Sequence, residues 1–314
     1  MISYIIRRFI QALIVIFLVT VISFLLLQIV PGDPVIQILG SHATPAQQAV
    51  LRHELGLDRP VIMQYLHWIG GVFHGDMGKS IIYHENVARL LKERFPITAY
   101  LSLIALILST ALGIILGVIS AVKRGSWLDS LISLFANTAV AIPTFWLGIV
   151  GIYIIGLKLG WLPIEGWTSP FTDFVQSTRQ LIMPVFALTV PNIAVLVRQT
   201  RSSMLETIRQ DYVRTATSKG LRQSIVLYKH ALRNALIPVV TLVGMALAFL
   251  LAGEVMVETV FNIPGVGRLL VRASLDKDYL IVQAGVLVIG TAVCLTNLLV
   301  DIAYGWIDPR IRYK

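Results

Sequence analysis

Two groups of residues in the first third of the chain carry side chains that could do chemistry. Gly78-Lys79-Ser80 looks like the end of a phosphate-binding loop, but such a loop needs a glycine where this sequence has Phe73. Five of the six histidines also fall here, without H-x-x-x-H spacing and without a cysteine beside them, at positions His42, His53, His67, His74 and His84. We therefore expect no nucleotide site and no metal site, and we interpret the histidines as surface residues.

Catalytic patterns are missing from the rest of the sequence too. There is no G-x-S-x-G, no H-E-x-x-H and no pair of carboxylates that can be placed together. Glu254 and Asp301 lie near the ends of apolar runs, where an acid is either functional or paired with a neighbouring arginine. We predict that the chain is not an enzyme and binds no cofactor of its own.

Residues 211–238 form the one strongly charged stretch among long apolar runs. Asp211 is predicted to cap a short helix, Gly220 to end it in a left-handed turn, and Ser224 to start a second helix. Pro238 then falls in the first turn of an apolar helix, where proline is tolerated. The basic residues suit lipid headgroups or an acidic partner, and they are Arg214, Lys219, Arg222, Lys229 and Arg233. Two interpretations stay open: an ordinary basic loop, or a segment that a partner protein binds.

The composition of the chain indicates which elements hold residues 211–238 in place. Of the 314 residues, 56% are hydrophobic and 14% are charged, whereas a soluble domain carries about 25% charged residues. Crossing a bilayer takes about 20 apolar residues in a helix. Six windows without charge meet that need, at residues 9–30, 97–122, 130–157, 180–197, 234–253 and 279–300. We predict an all-α membrane protein with six transmembrane helices, the first of them uncleaved.

The basic residues are unevenly distributed between the loops. If the N-terminus is cytoplasmic, the inner loops are strongly basic, whereas the outer segments hold equal numbers of basic and acidic residues. Short cytoplasmic loops are enriched in Lys and Arg. Both termini are therefore predicted to be cytoplasmic, and the net charge of +9 belongs to a membrane face rather than to a nucleic-acid site. Cys294 is the only cysteine, so no disulfide forms within the chain.

The loops divide the chain into parts. Between the first two spans, we predict one helix capped at Thr44 and ended by Gly56, and a second over residues 61–73 anchored by Tyr65 and Trp68. The outer loop 258–278 is expected to dip back towards the membrane. The parts are an N-terminal helix 1–30, an extracytoplasmic region 31–96, a membrane domain 97–303 with a cytoplasmic loop 198–235, and a cytoplasmic tail 304–314.

Small and helix-breaking residues mark the spans. Gly113 and Gly117 permit close helix approach in the second span. Prolines in the third and fourth spans are expected to break them, and such breaks either line a substrate route or only bend a helix for packing. The candidate path residues are Asn137, Pro143, Pro184, Pro191, Asn192 and Glu254.

Several short motifs, in this order and spacing, resemble one protein family along essentially the whole chain. They are Tyr4-Ile5-Ile6-Arg7-Arg8, Pro31-Gly32-Asp33-Pro34, Leu55-Gly56-Leu57-Asp58, Gly75-Asp76-Met77-Gly78-Lys79-Ser80, Thr200-Arg201-Ser202-Ser203-Met204, Asp211-Tyr212-Val213-Arg214-Thr215-Ala216, His230-Ala231-Leu232-Arg233-Asn234-Ala235 and Asp308-Pro309-Arg310-Ile311-Arg312. The sequence resembles the first permease subunit of bacterial ABC importers for dipeptides, oligopeptides, nickel and glutathione. In that family a Glu-Ala-Ala triplet precedes a glycine. Here Arg214-Thr215-Ala216 stands at the triplet and Gly220 at the glycine, as in the peptide and nickel branch.

The resemblance implies a type I ABC importer permease in the bacterial inner membrane, with residues 211–220 as the coupling helix. Implied partners are a second homologous permease, two ATPase subunits that hold ATP and Mg²⁺, an extracytoplasmic substrate-binding protein and the lipid bilayer. The implied ATPase-coupling residues are Asp211, Tyr212, Arg214, Thr215, Ala216, Lys219, Gly220 and Leu221. A peptide-type substrate is expected, with a nickel chelate or glutathione as alternatives. An ion-coupled secondary transporter is the alternative from another class, although the sequence shows no internal repeat and no mid-membrane ion-coupling acid.

Overall fold

The computed structural model describes residues 2–29, 34–39, 43–54, 56–252 and 255–307. Within these ranges every regular element is a helix, and Lys79 and Asn86 form an isolated β-bridge. The helices are α1 (Ile2–Ile29), α2 (Pro34–Leu39), α3 (Pro45–Glu54), α4 (Val61–Phe73), α5 (Val87–Val122), α6 (Trp127–Ala141), α7 (Thr144–Gly151, continued as a π-helix over Ile152–Lys158), α8 (Phe174–Ile208), α9 (Asp211–Ser218), α10 (Gln223–Ile225, continued as a π-helix over Val226–Ala231), α11 (Leu232–Ala235), α12 (Ile237–Leu251), α13 (Val255–Val260), α14 (Val266–Leu275) and α15 (Tyr279–Ile307).

The number of spans agrees with the prediction. Among the described residues, four helices are long and apolar enough to cross a membrane, namely α1, α5, α8 and α15. Two further spans are bent pairs: α6 meets α7 at 99°, and the helix from Gln223 to Ala235 meets α12 at 51°. Counting each pair as one span gives the six that the charge-free windows predict. The chain is thus an all-α membrane protein.

Side chains of α8 pack directly on the backbone of α5 at two glycines. A Cβ atom added at Gly113 would lie 2.5 Å from the Cβ of Leu196, and one added at Gly117 would lie 2.5 Å from the Cβ of Thr200. The predicted role of the two glycines in close helix approach is therefore confirmed. Elsewhere on α5, the Ser102 hydroxyl donates to the carbonyl of Leu250 in α12 at 2.9 Å.

One of the three expected proline breaks is present. At Pro143 the backbone is extended (φ −63°, ψ 138°), and the third span bends there by 99°. The expected breaks at Pro184 and Pro191 are wrong, since α8 stays helical through both residues. Dense packing of α8 holds the helix, and the Asn192 side-chain amide donates to the Leu188 carbonyl at 2.8 Å within the turn that contains Pro191.

The start of α5 differs from the predicted boundary at residue 96. Asn86 caps the helix through its side chain, which accepts from the N–H groups of Ala88 and Arg89, so α5 begins at Val87 and includes Pro96. Its first turns are buried against α14 and α15 through Val87, Leu90 and Leu91. The longer helix follows from that packing, which a search for charge-free windows does not detect because the first turns carry Arg89, Lys92, Glu93 and Arg94.

Both helices predicted between α1 and α5 are present as α3 and α4 with the predicted starts, whereas the short helix α2 was not predicted. The Gln47 side chain accepts from both the N–H and the hydroxyl of Thr44, which forms the capping box of α3. Gly56 then adopts a left-handed backbone at φ +65°. Some predicted features lie outside the described residues, among them the 31–34 motif apart from Pro34, His42, Leu55 and residues 308–314 of the tail.

Candidate functional site

Helix α9 occupies the centre of the predicted coupling segment. It begins at Asp211, with extended Gln210 in the cap position, so the prediction that Asp211 itself is the cap is off by one residue. Asp211 instead lies in the first turn, where the helix dipole favours a negative charge. The helix ends at Ser218, and Gly220 takes the predicted left-handed conformation at φ +72°.

The second helix of the segment starts one residue before the predicted Ser224. Arg222 is extended and Gln223 is the first helical residue, because the N–H groups of Ile225 and Val226 both donate to the carbonyl of Arg222. The helix then continues to Ala235 through a π-helical stretch. After the bend, Pro238 lies in the first turn of α12, as predicted.

One face of α9 is buried in the helix bundle. Val213 and Ala216 pack in an apolar cluster with residues of α5, α8 and the helix after Gly220, among them Val118, Met204 and Val226. Ala216 is 8% exposed, so it is not available to a partner in the way that the predicted set of docking residues implies. The physical reason is the helical period, which places positions 213 and 216 on the same inward face.

The opposite face of α9 and the turn after it are open. The remaining predicted contact residues are all exposed, namely Asp211, Tyr212, Arg214, Thr215, Lys219, Gly220 and Leu221. The Tyr212 hydroxyl accepts a hydrogen bond from the Asn234 side chain at 2.8 Å, which ties α9 to α11. A short helix anchored by one face and exposed on the other can transmit force from a bound partner to the bundle.

An ion pair lies under the same end of the bundle. Asp129 in the first turn of α6 is buried and pairs with Arg201 of α8. Its carboxylate also accepts from the Ser120 hydroxyl at 2.5 Å and from the Gly125 N–H at 2.9 Å. This network was not predicted from the sequence. The available signal was an acid at the very start of an otherwise apolar run.

A second network fixes the outer loop after α12. Glu258 is buried and accepts from the Thr98 hydroxyl at 2.6 Å and from the Arg268 N–H at 2.8 Å. Thr98 in turn accepts from the Val266 N–H at 2.9 Å. Burial raises the pKa of the Glu258 carboxyl above its usual value of 4.5. Phe261, in the same loop, is fully buried, so the loop packs into the helix bundle.

The segment that looked like a phosphate loop is bound to the base of α15. The Ser80 hydroxyl donates to the buried Asp278 carboxylate at 2.5 Å, and the Ile82 N–H donates to the same oxygen at 3.2 Å. Gly78 has φ +83°, and a Cβ there would lie 3.2 Å from Leu280. The serine and the glycine of this motif therefore serve loop packing.

The predicted path residues are found in different environments. Asn137 and Pro143 are exposed on the bent third span, Pro184 is buried in α8, and Pro191 and Asn192 are half-buried there. Glu254 lies outside the described residues. Asp301, the other acid near a span end, pairs with Arg8 at 3.1 Å, in agreement with the structural reading of that residue.

The side chains of His53 and His74 make local contacts. The Nδ1 atom of His53 lies 2.7 Å from Oδ2 of Asp58, and that of His74 lies 2.8 Å from the Gly70 carbonyl oxygen. The hydrogen bond from His53 lowers the pKa of the exposed Asp58 carboxyl. Within the described ranges, no group of three His, Cys, Asp or Glu side chains is arranged to hold a metal ion.

The same chain is similar to known proteins over its whole length. Residues 113–313 match the family described as binding-protein-dependent transport system inner membrane component, and residues 1–102 match the N-terminal region described for such membrane components. A probable peptide ABC transporter permease protein, y4tP, from Sinorhizobium fredii is 41% identical over 310 residues, which is 99% of each chain. The di/tripeptide transport system permease protein DppB of Pseudomonas aeruginosa is 39% identical over 335 residues and all of both chains.

A solved structure shows the same fold. The MetNI methionine ABC transporter, in inward facing conformations, matches with a TM-score of 0.56 and 19% sequence identity, covering 70% of this chain and 96% of that chain. The helical bundle described above is thus the fold of an ABC importer permease. The structural likeness and the two family matches agree, and the chain belongs to the inner-membrane components of binding-protein-dependent transport systems.

Proposed function

We propose that this chain is a permease subunit of an ATP-driven importer for a peptide-type substrate, a dipeptide or an oligopeptide. The observation that carries the proposal is the similarity over the full length to proteins named as peptide permeases, at 39% to 41% identity. The exposed face of α9 supports the same function, because a permease needs a surface on which a separate motor can act.

Several partners follow from this function. A second, homologous permease completes the translocation path, and a substrate-binding protein docks on the outer face formed by the region before α5 and the loop 258–278. Two ATPase subunits bind ATP and Mg²⁺ and contact α9. Both termini face the cytoplasm, because that orientation places the basic loops, including residues 198–235, on the inner side.

The proposed coupling passes through contacts in the bundle. When the ATPase subunits close, they displace α9, and the buried Val213 and Ala216 transmit that displacement to α5 and α8. The Asp129–Arg201 ion pair joins α6 to the same group of helices. The spans then rock between inward-open and outward-open states, which requires only that the ATP-bound motor binds one state better than the other.

The coupling role is tested by Gly220→Pro in the complex reconstituted into vesicles. Gly220 has φ +72°, which proline cannot adopt, so the turn that ends α9 must change. We expect ATP-dependent uptake to fall at least tenfold while the complex still assembles. Gly160→Pro is the matched control, since Gly160 has φ +64° in the loop on the opposite side. Unchanged uptake in the Gly220→Pro vesicles would contradict the coupling role.

The substrate class needs a separate measurement. The chain is purified from native membranes with its partners, and the ligand of the co-purified binding protein is weighed by mass spectrometry. A bound peptide supports the proposed substrate class. A bound nickel chelate or glutathione would contradict the peptide assignment but would still agree with an ATP-driven importer. Uptake that follows an ion gradient without ATP would overturn the importer itself.

A further inference from the structure

Helix α4 carries an apolar face that no described part of the chain covers. Four large side chains on it are mostly open, with exposed fractions of 73% for Ile62, 55% for Met63, 55% for Leu66 and 84% for Phe73. The helix contains no Asp, Glu, Lys or Arg in its sequence VIMQYLHWIGGVF. Such a face is not expected to stand in water, because large exposed apolar patches mark binding surfaces or membrane contacts.

The other face of α4 is fixed on α1. The rings of Tyr65 and Trp68 pack against Phe24, with ring centroids 5.5 Å and 5.9 Å away. The hydroxyl groups of Tyr65 and Thr20 lie 2.7 Å apart, within hydrogen-bond distance. These contacts set the rotation of α4 about its own axis, and they direct the open apolar face away from α1.

The position of this contact along α1 indicates whether the open face of α4 meets lipid or water. Thr20 and Phe24 belong to the stretch of α1, Tyr4–Leu25, that is long and apolar enough to cross a membrane. Thr20 lies nine residues before the end of α1 at Ile29, which is about 14 Å along a helix that rises 1.5 Å per residue. Helix α4 therefore docks on a part of α1 that lies within the bilayer, not above it.

At the same level, α1 has its own lipid-facing residues. Phe17, Leu18 and Ile22 are exposed on α1, so the helix on which α4 docks also has apolar side chains that no described residue covers and that suit lipid. Charged residues flank α4 outside its ends, with Asp58 and Arg59 before it and Asp76 after it, and all three are exposed. An apolar helix between polar ends, beside a span, is the arrangement of a helix that lies in the plane of a membrane.

We propose that α4 is an in-plane membrane helix, inserted into the leaflet at the C-terminal end of α1, and that phospholipid acyl chains cover its open face. The inference goes beyond the proposed function and requires only that α1 spans the bilayer. It divides the segment between α1 and α5 into a lipid-bound part, α4, and an exposed part that includes α3.

The test uses site-directed spin labels in the assembled complex in phospholipid vesicles. Cys294 is replaced by alanine, and single cysteines are placed at Ile62 and Leu66. Ile22 on α1 is the lipid reference, and the exposed Ala49 on α3 is the matched aqueous control. We expect labels at 62 and 66 to collide with oxygen more than with a water-soluble nickel chelate, with a ratio like that at 22 and several-fold above that at 49.

Two other outcomes would overturn the inference. Nickel-chelate accessibility at 62 and 66 equal to that at 49 would place the face in water. Exclusion of both reagents would mean that a protein covers it, either a second permease, another copy of this chain or the binding protein. The unmodified chain gives an independent readout in vesicles that contain a phospholipid with a photoreactive acyl chain. Label within α4 but not within α3 supports insertion, and label confined to the spans refutes it.

Discussion

The carboxylate of Asp129 and the guanidinium of Arg201 meet through two parallel hydrogen bonds, 2.8 Å from Nε to Oδ1 and 2.9 Å from Nη2 to Oδ2. This fork geometry is the strongest form of an ion pair between side chains. The pair joins the start of α6 to the end of α8 and lies beside the short loop after α5, through the Gly125 N–H. It therefore fixes three helices on the side of the bundle that carries α9.

Breaking this pair is expected to destabilise the folded chain. Asp129→Ala leaves Arg201 partly buried without its carboxylate, so we expect a loss of about 3 kcal/mol in the free energy of unfolding. Denaturant unfolding of the purified chain in detergent measures it. The matched control is Glu93→Ala, which removes the exposed pair with Arg89 and should cost at most about 0.5 kcal/mol. Equal losses in the two variants would contradict a structural role for Asp129.

The glycine contacts between α5 and α8 predict an effect of a single methyl group. In Gly113→Ala the new Cβ would lie 2.5 Å from the Leu196 Cβ, so the helices must separate, at a cost of about 1–3 kcal/mol. Gly70→Ala in α4 is the control, since nothing lies within 4 Å of its added Cβ. There we expect no loss, or a gain of about 0.5–1 kcal/mol from the better helix former. Thermal unfolding of both variants compares them.

The buried carboxyl of Glu258 should make the stability of the folded chain depend on pH. Burial raises the pKa of its carboxyl in the folded chain above the usual 4.5, so the folded state holds this proton to higher pH than the unfolded state does. The stability from this group is fully present below pH 4.5 and is lost as the pH rises through the folded pKa. Glu258→Gln should flatten the fall of Tm with rising pH above 4.5.

The control for this prediction is Glu85→Gln, because Glu85 is an exposed acid in the same outer region. Its substitution should leave the pH profile of Tm as it is in the unmodified chain. If Glu258→Gln gives that same profile, the titration of Glu258 does not contribute to the stability of the outer loop.

The two faces of α9 predict two different defects. Lys219→Glu changes the exposed face, so we expect several-fold less co-purified ATPase and a Tm unchanged within about 1 °C. Ala216→Glu places a charge in the buried cluster and should lower Tm clearly, because an unpaired buried charge is costly. Arg59→Glu, an exposed change near α4, is the control for general charge effects. A normal yield of ATPase with Lys219→Glu would remove Lys219 from the docking surface.

Local signals account for what the sequence predicts well. The capping box at Thr44, the left-handed turn at Gly220 and the helix Val61–Phe73 all depend on neighbouring residues, and each is present. The six spans follow from the length of apolar runs. The path residues and the docking role of α9 remain predictions.

The missed features depend on packing between distant residues. Asp129 and Arg201 are 72 positions apart, and nothing near either residue indicates the other. Pro184 and Pro191 carry a strong local signal for a break, but the interactions of α8 with its neighbours outweigh it. The burial of Glu258 has the same origin, because only the folded loop shows that this carboxylate is enclosed.

The contact of Gly113 and Gly117 with α8 has a mechanical consequence. Because Leu196 and Thr200 of α8 pack directly on the α5 backbone at these glycines, sliding of one helix past the other would break close contacts, and we expect α5 and α8 to move together. Helix α8 has 35 residues, so it is about 52 Å long and reaches from one side of the bilayer to the other. We therefore expect a displacement of its inner end to be carried to its outer end, and bending to occur mainly at the breaks of the two bent helix pairs, at Pro143 and at Leu236.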